Sequence, residues 1–386
     1  MKILLIEWDS YGRKDIKEAF TAEGHQLVCF PFDFRKTGLR HDPEVEEKLH
    51  SVLRKETPDA VFSIDFFPVI SKVCRREQVR YISWTYDWPH ILLYSATVIY
   101  PCNTVYVFDK EVYQEFHNAG IPTVHYMPLA ANTERLDTVM AGSAADTSFA
   151  CDISFVGSLY VENYNLIDEM MPALPNYVRG YLDALMAAQL KIYGYNFIEE
   201  LLSPVVNELQ KAYPMELTPD GLDSLEHNFA QYVINRRITA IERMDLLEAV
   251  AEKHTVDLFT HVKELELPNI CNHGEVNYDY EMPLVFKQSK INLNITLRSI
   301  KSGIPLRAID IMGCGGFLLS NFQSEFLDFF VPGEDFVFYD SKEDLLRKID
   351  YYLCHDDERR AIARNGHDKI AAGHTYRHRI REMFAE

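Results

Sequence analysis

The stretch IPLRAIDIMGCGGFLLSN, residues 304–321, places a cation and a carboxylate three positions apart in an otherwise apolar segment. Its pattern predicts a short helix, a corner at Gly315 and Gly316, and a buried strand. Arg307 would lie in the first helical turn, where the helix dipole disfavours a cation. It can pair with Asp310, which at this spacing contributes about 0.2–0.5 kcal/mol, or it can balance a bound anion. Because the helix is apolar nearly all round and hence buried, we favour the anion.

The charge distribution around this helix also favours an anionic ligand. The chain is acidic overall, with a formal net charge of -19. Yet the 28 residues between Glu281 and Asp310 contain no Asp or Glu, where about four would be expected at the chain average. The same residues include five cations: Lys287, Lys290, Arg298, Lys301 and Arg307. A solvated basic face is the alternative, but the segment includes a predicted core strand and the apolar helix, so we expect a polyanion there.

A second candidate phosphate-binding element is FVGSLY, where Gly157 and Ser158 follow a predicted strand. A glycine at this place lets the backbone approach a phosphate, and a helix that follows would offer amide donors. A plain turn is the alternative. The chain has no GxGxxG, GxxxxGKS or GxxxxGKT sequence, which argues against a dinucleotide-dependent dehydrogenase and a P-loop NTPase.

The predicted strand KINLNIT has polar residues at every second position, Asn292, Asn294 and Thr296. Alternation puts all three on one face, opposite the aliphatic residues. If this face meets a ligand near the end of the strand, Asn294 and Thr296 contact that ligand. If it meets an internal helix, they are hydrogen-bonded core residues. Both interpretations remain open at the level of sequence.

These candidates are positioned by a chain that alternates β-rich runs with helix-length segments. Residues 1–132 contain about six strands, which is one complete doubly wound domain. Small and polar residues predict a linker at 133–150. A second domain is predicted at 151–370 with a large helical insertion at 160–253, and a closing helix at 371–386. We therefore predict an α/β protein with two Rossmann-like domains facing a cleft, and ligands at the carboxyl ends of the strands.

Composition argues against several classes of protein. The acidic balance is unfavourable for a nucleic-acid partner, which would need a basic surface. The chain has no apolar run long enough for a transmembrane segment and no signal-peptide pattern. Its seven cysteines lack CxxC pairs and zinc-type spacing, so neither disulfides nor a structural metal are expected. A cytoplasmic protein is the simplest interpretation.

The segment from His273 to Leu353 reads HGEVNYDYEMPLVFKQSKINLNITLRSIKSGIPLRAIDIMGCGGFLLSNFQSEFLDFFVPGEDFVFYDSKEDLLRKIDYYL. It resembles the C-terminal domain of the CgeB-like, spore-maturation-type glycosyltransferases, a branch of the two-domain GT-B superfamily. The similarity extends from about Cys151 to the C-terminus. The N-terminal half, with YISWTYDWPH, FDK and MPLAAN, looks like the uncharacterised domain usually found ahead of it.

The resemblance implies a bacterial glycosyltransferase, with hexosyl transfer expected, that takes a nucleotide sugar as co-substrate. A UDP-sugar is the expected donor, and neither a metal nor another cofactor is expected. The C-terminal domain would hold the donor. The N-terminal domain would hold the acceptor, which can be a protein, a glycan or a small molecule.

The resemblance also assigns roles to individual residues. Asp310 stands where related GT-B enzymes have the second Glu of an E-x7-E pattern, which binds the ribose hydroxyls, but Ser302 stands in place of the first Glu. The remaining matches are the loop against the diphosphate, the corner behind the helix and the loop that frames the base: Gly157, Gly315 and Gly316, and His273 and Gly274. The candidates for stabilising the leaving diphosphate are Arg298, Lys301 and Arg307.

Activation of the acceptor needs a base if the reaction inverts. Asp87 and His90, in the stretch SWTYDWPH, are the catalytic candidates. Alternatively, Asp87 is a turn residue and the neighbouring tryptophans are core, and Asp65 after another predicted strand is a comparable base. Because the first Glu is absent, a non-catalytic GT-B-like nucleotide-binding or scaffolding module is the alternative to an enzyme.

Overall fold

The computed structural model describes residues 1–143, 146–161, 166–217, 220–263, 265 and 267–385. The chain divides into two compact units. The first comprises Met1–Leu129, Leu217–Asp223 and Thr375–Glu386, and the second comprises Ala130–Glu216 and Ser224–His374. Each unit contains a six-stranded parallel sheet with flanking helices. The prediction of an α/β fold with two Rossmann-like domains is therefore confirmed.

The first unit is built on a sheet of order β2-β1-β3-β4-β5-β6. Its strands are β1 (Lys2–Glu7), β2 (Gln26–Pro31), β3 (Ala60–Ile64), β4 (Arg80–Trp84), β5 (Asn103–Val107) and β6 (Val124–Tyr126). Its first helices are α1 (Arg13–Ala22), α2 (Pro43–Glu56), α3 (Pro68–Glu77) and α4 (Lys110–Asn118). Strand β3 is buried at every position, as expected when helices cover both faces of a sheet. The strand order reverses between β1 and β3, so the carboxyl ends of these strands flank a topological switch point, where open α/β sheets bind ligands.

The second unit has a sheet of order β12-β11-β10-β7-β8-β9. Its strands are β7 (Cys151–Val156), β8 (Val256–Phe259), β9 (Ile270–Asn272), β10 (Ser289–Asn294), β11 (Leu318–Asn321) and β12 (Val337–Tyr339). Its helices are α5 (Thr133–Gly142), α6 (Leu166–Met170), α7 (Asn176–Gln189), α8 (Ile198–Leu201), α9 (Val206–Ala212), α10 (Leu225–Phe229), α11 (Asn235–Ala251), α12 (Met282–Gln288), α13 (Leu306–Gly313), α14 (Phe326–Phe329), α15 (Lys342–Cys354) and α16 (Asp356–Gly373). Here the order reverses between β7 and β10, which pair in parallel. The carboxyl ends of these two strands are therefore the expected ligand-binding place in this unit.

Strand β10 separates two apolar clusters of the second unit. Ile291 and Leu293 belong to a cluster that includes residues of α11 and α15. The opposite face is covered by α12 and α13, whose apolar residues form the other cluster. The alternation predicted for this strand is thus a consequence of two different faces, one fully apolar and one that accommodates polar side chains.

The helical insertion predicted at 160–253 consists of α6 to α11, with residues 162–165 and 218–219 outside the described part of the chain. Most of it packs around its own apolar cluster, from Ile167 to Ile238. Leu217–Asp223 groups instead with the first unit, where the Ala96 N–H donates to the Asp220 carbonyl at 2.7 Å. The insertion therefore contributes to both units.

Two further predicted segments have defined structures. The segment 133–150, predicted as a linker, contains α5, whose Leu136 lies in the core of the second unit; residues 144–145 are outside the described ranges. The predicted closing helix is α17 (Tyr376–Met383), which groups with the first unit. None of the helices within the described residues combines the length and apolar character needed to span a membrane.

Candidate functional site

The loop after β7 and the first turn of α13 meet at the switch point of the second sheet. Gly157 directly follows β7 and has a φ of 148°, which side chains rarely adopt. A Cβ atom at Gly157 would lie 2.7 Å from Nη1 and 2.9 Å from Cζ of Arg307. The Arg307 guanidinium therefore packs directly on the glycine backbone. The structure brings together two of the predicted phosphate-binding residues that are far apart in the sequence.

The backbone of this loop is already partly engaged. The Gly157 N–H donates to the Phe259 carbonyl at 2.9 Å, and the Tyr160 N–H donates to the Ser158 hydroxyl at 3.1 Å. The helix predicted to follow Ser158 has not begun at Val161, the last described residue of this loop. Residues 162–165 lie outside the described part of the chain. The loop therefore allows a close approach, but its described residues do not form the start of a helix.

We expect Gly157→Ala to weaken binding of UDP, the expected nucleotide, by about tenfold. The added methyl would displace the Arg307 guanidinium, and the φ of Gly157 would strain any side chain by about 1–3 kcal/mol. Calorimetric titration of UDP measures the effect. Gly180→Ala is the matched control, because a Cβ at Gly180 meets nothing within 4 Å. Equal UDP affinities for the two variants would remove Gly157 from the site.

Arg243 of α11 is a second guanidinium at this switch point, and the sequence interpretation missed it. It is 3% exposed, its Nε donates to the Ile295 carbonyl at 3.1 Å, and its Nη1 donates to the Ser158 carbonyl. It thereby joins the loops that follow β7 and β10. Burial lowers the pKa of Arg243 to about 10, and the positive charge of Arg307 acts in the same direction. An anion bound beside these two cations would relieve their mutual repulsion.

Asp310 lies one turn after Arg307 on α13 and is buried. The Tyr278 hydroxyl donates to Asp310 Oδ2 at 3.2 Å. Tyr278 belongs to the segment between β9 and α12, which begins with His273 and Gly274. This segment thus reaches the helix that presents Arg307.

His273 and Gly274 lie at the surface, after the edge strand β9. The His273 ring stacks on Phe259 with ring centroids 4.8 Å apart, and its Nε2 lies 2.6 Å from Asp257 Oδ1. Gly274 has a φ of 80° and open space where a Cβ would be. An exposed, anchored ring beside an open turn is compatible with the predicted contact to a nucleotide base, which stays a prediction.

Arg298 has a partner inside the protein. It is 7% exposed, and its Nε and Nη2 donate to the two carboxylate oxygens of Glu242 at 2.7 and 2.8 Å. Its Nη1 donates to the Ile192 carbonyl at 2.7 Å, and the guanidinium lies over the Tyr193 ring. Burial lowers the pKa of Arg298, but the Glu242 charge more than offsets it, so the pKa is raised. The geometry gives Arg298 a structural role and does not support the predicted phosphate contact.

Glu242→Gln is expected to destabilise the protein by about 3 kcal/mol, because it leaves the Arg298 guanidinium buried without its counter-charge. Urea unfolding measures the change in the free energy of unfolding. Arg298→Met combined with Glu242→Leu should recover most of the loss, since replacing both members of a buried pair is often close to neutral. If Glu242→Gln unfolds like the wild type while UDP binding is lost, Arg298 serves the ligand and not the core.

Asn294 and Thr296 are hydrogen-bonded core residues. Both are buried, and Asn294 Nδ2 donates to Thr296 Oγ1 at 3.0 Å and to Ser320 Oγ at 2.9 Å. The Thr296 N–H donates to Asn321 Oδ1 at 2.7 Å. These bonds connect β10 to β11 across the face that meets α12 and α13. Of the two open interpretations, the geometry favours the internal network over contact with a ligand.

The residues around the expected first Glu are arranged differently from the predicted pattern. Ser302 donates its hydroxyl to Glu325 Oε1 at 2.6 Å, and Glu325 is 2% exposed. A carboxylate from the segment after β11 thus lies beside the serine that replaces the Glu. Lys301 lies near Glu199 of α8. The pKa of Glu199 is lowered overall. Burial raises this pKa, but a hydrogen bond with His227 and the charges of His227 and Lys301 outweigh the effect of burial.

Gly315 and Gly316 lie at the other edge of the sheet. They precede β11, whereas Gly157 and Arg307 lie at the carboxyl ends of β7 and β10, and all these strands are parallel. A Cβ at Gly316 would lie 2.5 Å from the Phe286 carbonyl oxygen, so this glycine allows α12 to pack closely on the corner. The prediction that these two glycines contact the donor does not fit this topology.

In the first unit, Asp65 and Asp87 follow the neighbouring strands β3 and β4. Asp65 is 2% exposed, and its Oδ1 accepts the backbone N–H groups of Tyr86 and Asp87 at 2.8 and 3.2 Å. Burial raises the pKa of Asp65 to about 7, although these two hydrogen bonds lower it. Desolvation and the Asp65 charge also raise the pKa of Asp87 to about 7. Since Asp87 keeps solvent exposure, its desolvation is less complete than that of Asp65, and the two carboxyl groups titrate as a coupled pair.

The His90 ring is held by a hydrogen bond to the backbone and is not positioned to act as a cation. Its Nε2 donates to the Phe66 carbonyl at 2.8 Å, and burial lowers its pKa, so the ring is neutral near pH 7. Trp84 and Trp88 are buried and belong to the core, as the alternative interpretation of this loop holds. Asp87 is therefore the exposed carboxyl of this loop with a pKa near neutrality.

Asp65→Asn is expected to stabilise the protein above pH 7 and to have little effect at pH 4. The folded state holds the Asp65 proton more tightly than the unfolded state, so stability falls as pH rises from about 4 to about 7. A shift of about 3 units corresponds to at most ~4 kcal/mol. Asn tolerates the Asp65 φ of 59° and keeps the carbonyl acceptor. Thermal unfolding at pH 4, 6 and 8 tests this, and a pH-independent difference would contradict a buried, titrating Asp65.

Comparison with known proteins gives the fold a family context. Residues 237–385 match a family model described as glycosyl transferase-like, which begins within α11 and includes α13. No curated protein sequence matches the chain. Three solved structures, each at 10% identity, are similar over nearly their full lengths. The apo structure of OtsA has a TM-score of 0.56 and covers 99% of this chain and 98% of its own. HepE of Anabaena with UDP and glucose has a TM-score of 0.53, with 100% of this chain and 99% of its own covered, and sucrose-phosphate synthase of Thermosynechococcus elongatus has a TM-score of 0.52, with 100% and 98% covered.

At this level of identity the solved structures establish the fold alone, and the family model matches only the C-terminal region, residues 237–385. The matched region contains Arg243, Arg307 and Asp310, three of the residues placed near the switch point. The chain thus has the two-domain GT-B fold of glycosyltransferases, and its residues 237–385 match the glycosyl transferase-like family.

Proposed function

We propose that this protein is a CgeB-like glycosyltransferase that moves a sugar from a nucleotide sugar to an acceptor. We expect the transferred sugar to be a hexose. The observation that supports this most is the pair of guanidinium groups, Arg243 and Arg307, at the carboxyl ends of β7 and β10. Glycosyl transfer releases a nucleoside diphosphate, whose developing negative charge must be stabilised in the transition state. Fixed cations at a topological switch point suit that task.

The two arginines have different parts in this proposal. Arg243 is buried and bonded to the Ser158 and Ile295 carbonyls, so it positions the loops. Arg307 is half-buried and lies on Gly157, so we assign it the contact with the diphosphate. Asp310, one turn further on, is assigned to the ribose hydroxyls, and His273 with Gly274 to the base. The charge is supplied by side chains in this arrangement, and we propose no metal or other cofactor.

UDP is the nucleotide we propose. It is supported by the resemblance described above and by HepE of Anabaena, a protein of the same fold whose structures contain UDP or UDP-glucose. Seven free cysteines are in keeping with a reducing compartment, and we propose a cytoplasmic location.

For an inverting reaction, Asp87 is the proposed base toward the acceptor hydroxyl. Its pKa of about 7 lets it accept a proton near neutral pH, which is the condition for efficient general-base catalysis. Asp65 holds the backbone of Tyr86 and Asp87 and so positions the loop. His90 is committed to the Phe66 carbonyl and is the weaker candidate.

A donor screen tests the proposal. The full-length protein is incubated with UDP-, GDP- and TDP-sugars, and release of the nucleoside diphosphate is followed with water and with simple sugars as acceptors. We expect slow release from one UDP-sugar. Ser302, at the place of the expected Glu, favours a second candidate, a non-catalytic nucleotide-binding module. Binding of UDP without turnover of any donor would support the module, and absence of binding to every nucleoside diphosphate would contradict both.

A further inference from the structure

A cavity of about 560 Å³ opens at the amino ends of β10 and β11 in the second unit. It is bounded by the end of α12, the start of β10, the corner at Gly315 and Gly316, and one side of α16, with Asp137 from α5. Because the strands are parallel, this cavity lies at the edge of the sheet opposite to Gly157 and Arg307. It is therefore separate from the proposed donor site.

The cavity is basic in a strongly acidic protein. Five Lys or Arg residues line it, against two carboxylates, Asp137 and Asp356, and one imidazole, His367. The five cations are Lys287, Lys290, Arg359, Arg360 and Arg364. In a chain with a net charge of -19, a concave surface with this local excess of cations attracts anions.

The acids in and around the cavity neutralise these cations only in part. Arg359 and Arg360 share one carboxylate, that of Asp356, at 2.6 and 2.9 Å. Lys290 pairs with Asp152 at 2.8 Å. Across the described residues, no carboxylate lies within ion-pair distance of Lys287, whose Nζ is 3.5 Å from the Gly315 carbonyl oxygen.

The second carboxylate of the cavity, Asp137, faces His367 at 3.3 Å. His367 also has Asp368 beside it at 3.4 Å. Arg364, one turn before His367 on α16, is exposed and, within the described part of the chain, lies next to no acid at ion-pair distance. Lys287 and Arg364 thus leave a net positive charge for a ligand.

One wall of the cavity is pre-organised. Arg359 is 7% exposed, and its Nη1 and Nη2 are fixed by the Lys290 carbonyl at 2.9 Å and by Asp356. Its Nε is buried and has no hydrogen-bond partner among the described residues. The Arg359 guanidinium is thus held in place as part of the cavity wall before any ligand binds.

The chemistry of the lining selects a class of anion. Planar guanidinium groups match the oxygen geometry of phosphate, and that of Arg359 is fixed by its hydrogen bonds. Phe317 is the one Phe, Tyr or Trp of the lining and is 1% exposed, so it offers no surface for stacking a nucleotide base, and the His367 ring lies against Asp137 and Asp368. We propose that this cavity binds a small phosphate-bearing anion without a base, such as a sugar phosphate or inorganic pyrophosphate, at a site distinct from the donor site.

Calorimetric titration with inorganic pyrophosphate and with glucose 6-phosphate tests the proposal. Since pyrophosphate can also occupy a diphosphate site, the titrations use the Arg307→Ala protein, in which the proposed donor site is impaired. We expect one site for at least one probe, weakened tenfold or more when Lys287→Ser and Arg364→Ser are added. Arg347→Ser is the matched control, because Arg347 is exposed on α15 and pairs with Asp344.

The two probes separate the possible ligands. Stronger binding of glucose 6-phosphate assigns a sugar phosphate, and stronger binding of pyrophosphate assigns the inorganic anion. Arg364→Ala alone, at an exposed position, keeps the test valid if the double substitution perturbs folding. Absence of binding for both probes, or binding that the cavity substitutions leave unchanged, would overturn the proposal. Neither result depends on UDP binding, so the site and the glycosyltransferase function stand or fall separately.

Discussion

Arg307→Ala is expected to weaken UDP binding about 10- to 100-fold and to lower donor turnover at least as much. The reason is that Arg307 is the half-buried guanidinium at the start of α13, packed on Gly157, where we place the diphosphate. Loss of a hydrogen bond to a charged group costs about 1.5–3 kcal/mol, which corresponds to this range of affinity. The developing charge of the leaving group makes the contact stronger in the transition state than in the ground state.

Calorimetry with UDP measures the first effect, and release of UDP from the donor found in the screen measures the second. Arg307→Lys should recover part of the affinity, since it restores the charge without the planar fork. Arg347→Ala is the control for a general loss of positive charge, because that residue is exposed and pairs with Asp344. If Arg307→Ala and Arg347→Ala bind UDP equally well, the diphosphate is bound elsewhere.

Asp87→Asn is expected to lower kcat about 100- to 10,000-fold while UDP affinity stays unchanged. A general base contributes a rate factor of this size, and Asn cannot accept the proton. Asp87 is exposed, so the substitution should not disturb folding. An unchanged kcat would show that Asp87 is not the base for the acceptor hydroxyl. A parallel loss of UDP affinity would indicate that Asp87 has a structural role.

The pH dependence of turnover gives an independent check on Asp87. A base must be ionised, so activity should fall as pH decreases through the pKa of about 7. The Asp65 charge contributes to raising that pKa, so Asp65→Asn should move the acidic limb to lower pH. If the acidic limb of the pH–rate profile is the same in Asp65→Asn as in the wild type, a group other than Asp87 controls the profile.

Much of the fold could be predicted because it depends on local periodicity. Strands such as KILLIE and AVFSI are short apolar runs separated by helix-length segments, and that order specifies parallel sheets. The proximity of Gly157 and Arg307 could be expected for the same reason. Gly157 follows a strand and Arg307 begins a helix, and the rule that ligands bind at carboxyl ends placed both on the same edge of the sheet.

The assignments that the geometry does not support concern partners that are distant in sequence. Arg298 lies in the acid-free segment, but its counter-charge is Glu242 in the insertion. Asn294 is bonded to Ser320 on the next strand, which no local pattern reveals. For Gly315 and Gly316, the rule of carboxyl ends would have indicated the opposite edge, since they precede a strand.

Arg243 was missed because α11 has a charged residue at many positions and resembles a solvated helix. A partial signal was present in ITAIERMDLLEAV, where Glu242 and Arg243 lie next to apolar residues on the buried side. Both are almost fully buried, at 4% and 3% exposure. Only the fold shows that Arg243 reaches the Ser158 and Ile295 carbonyls.

A crystal structure of the protein with UDP tests the central claim most directly. We predict the diphosphate within hydrogen-bonding distance of the Arg307 guanidinium, next to Gly157, with the ribose hydroxyls toward Asp310. The base would lie near His273 and Gly274. UDP bound at the opposite edge of the sheet, beside Gly315 and Gly316, or no bound nucleotide at saturating concentration, would contradict the account.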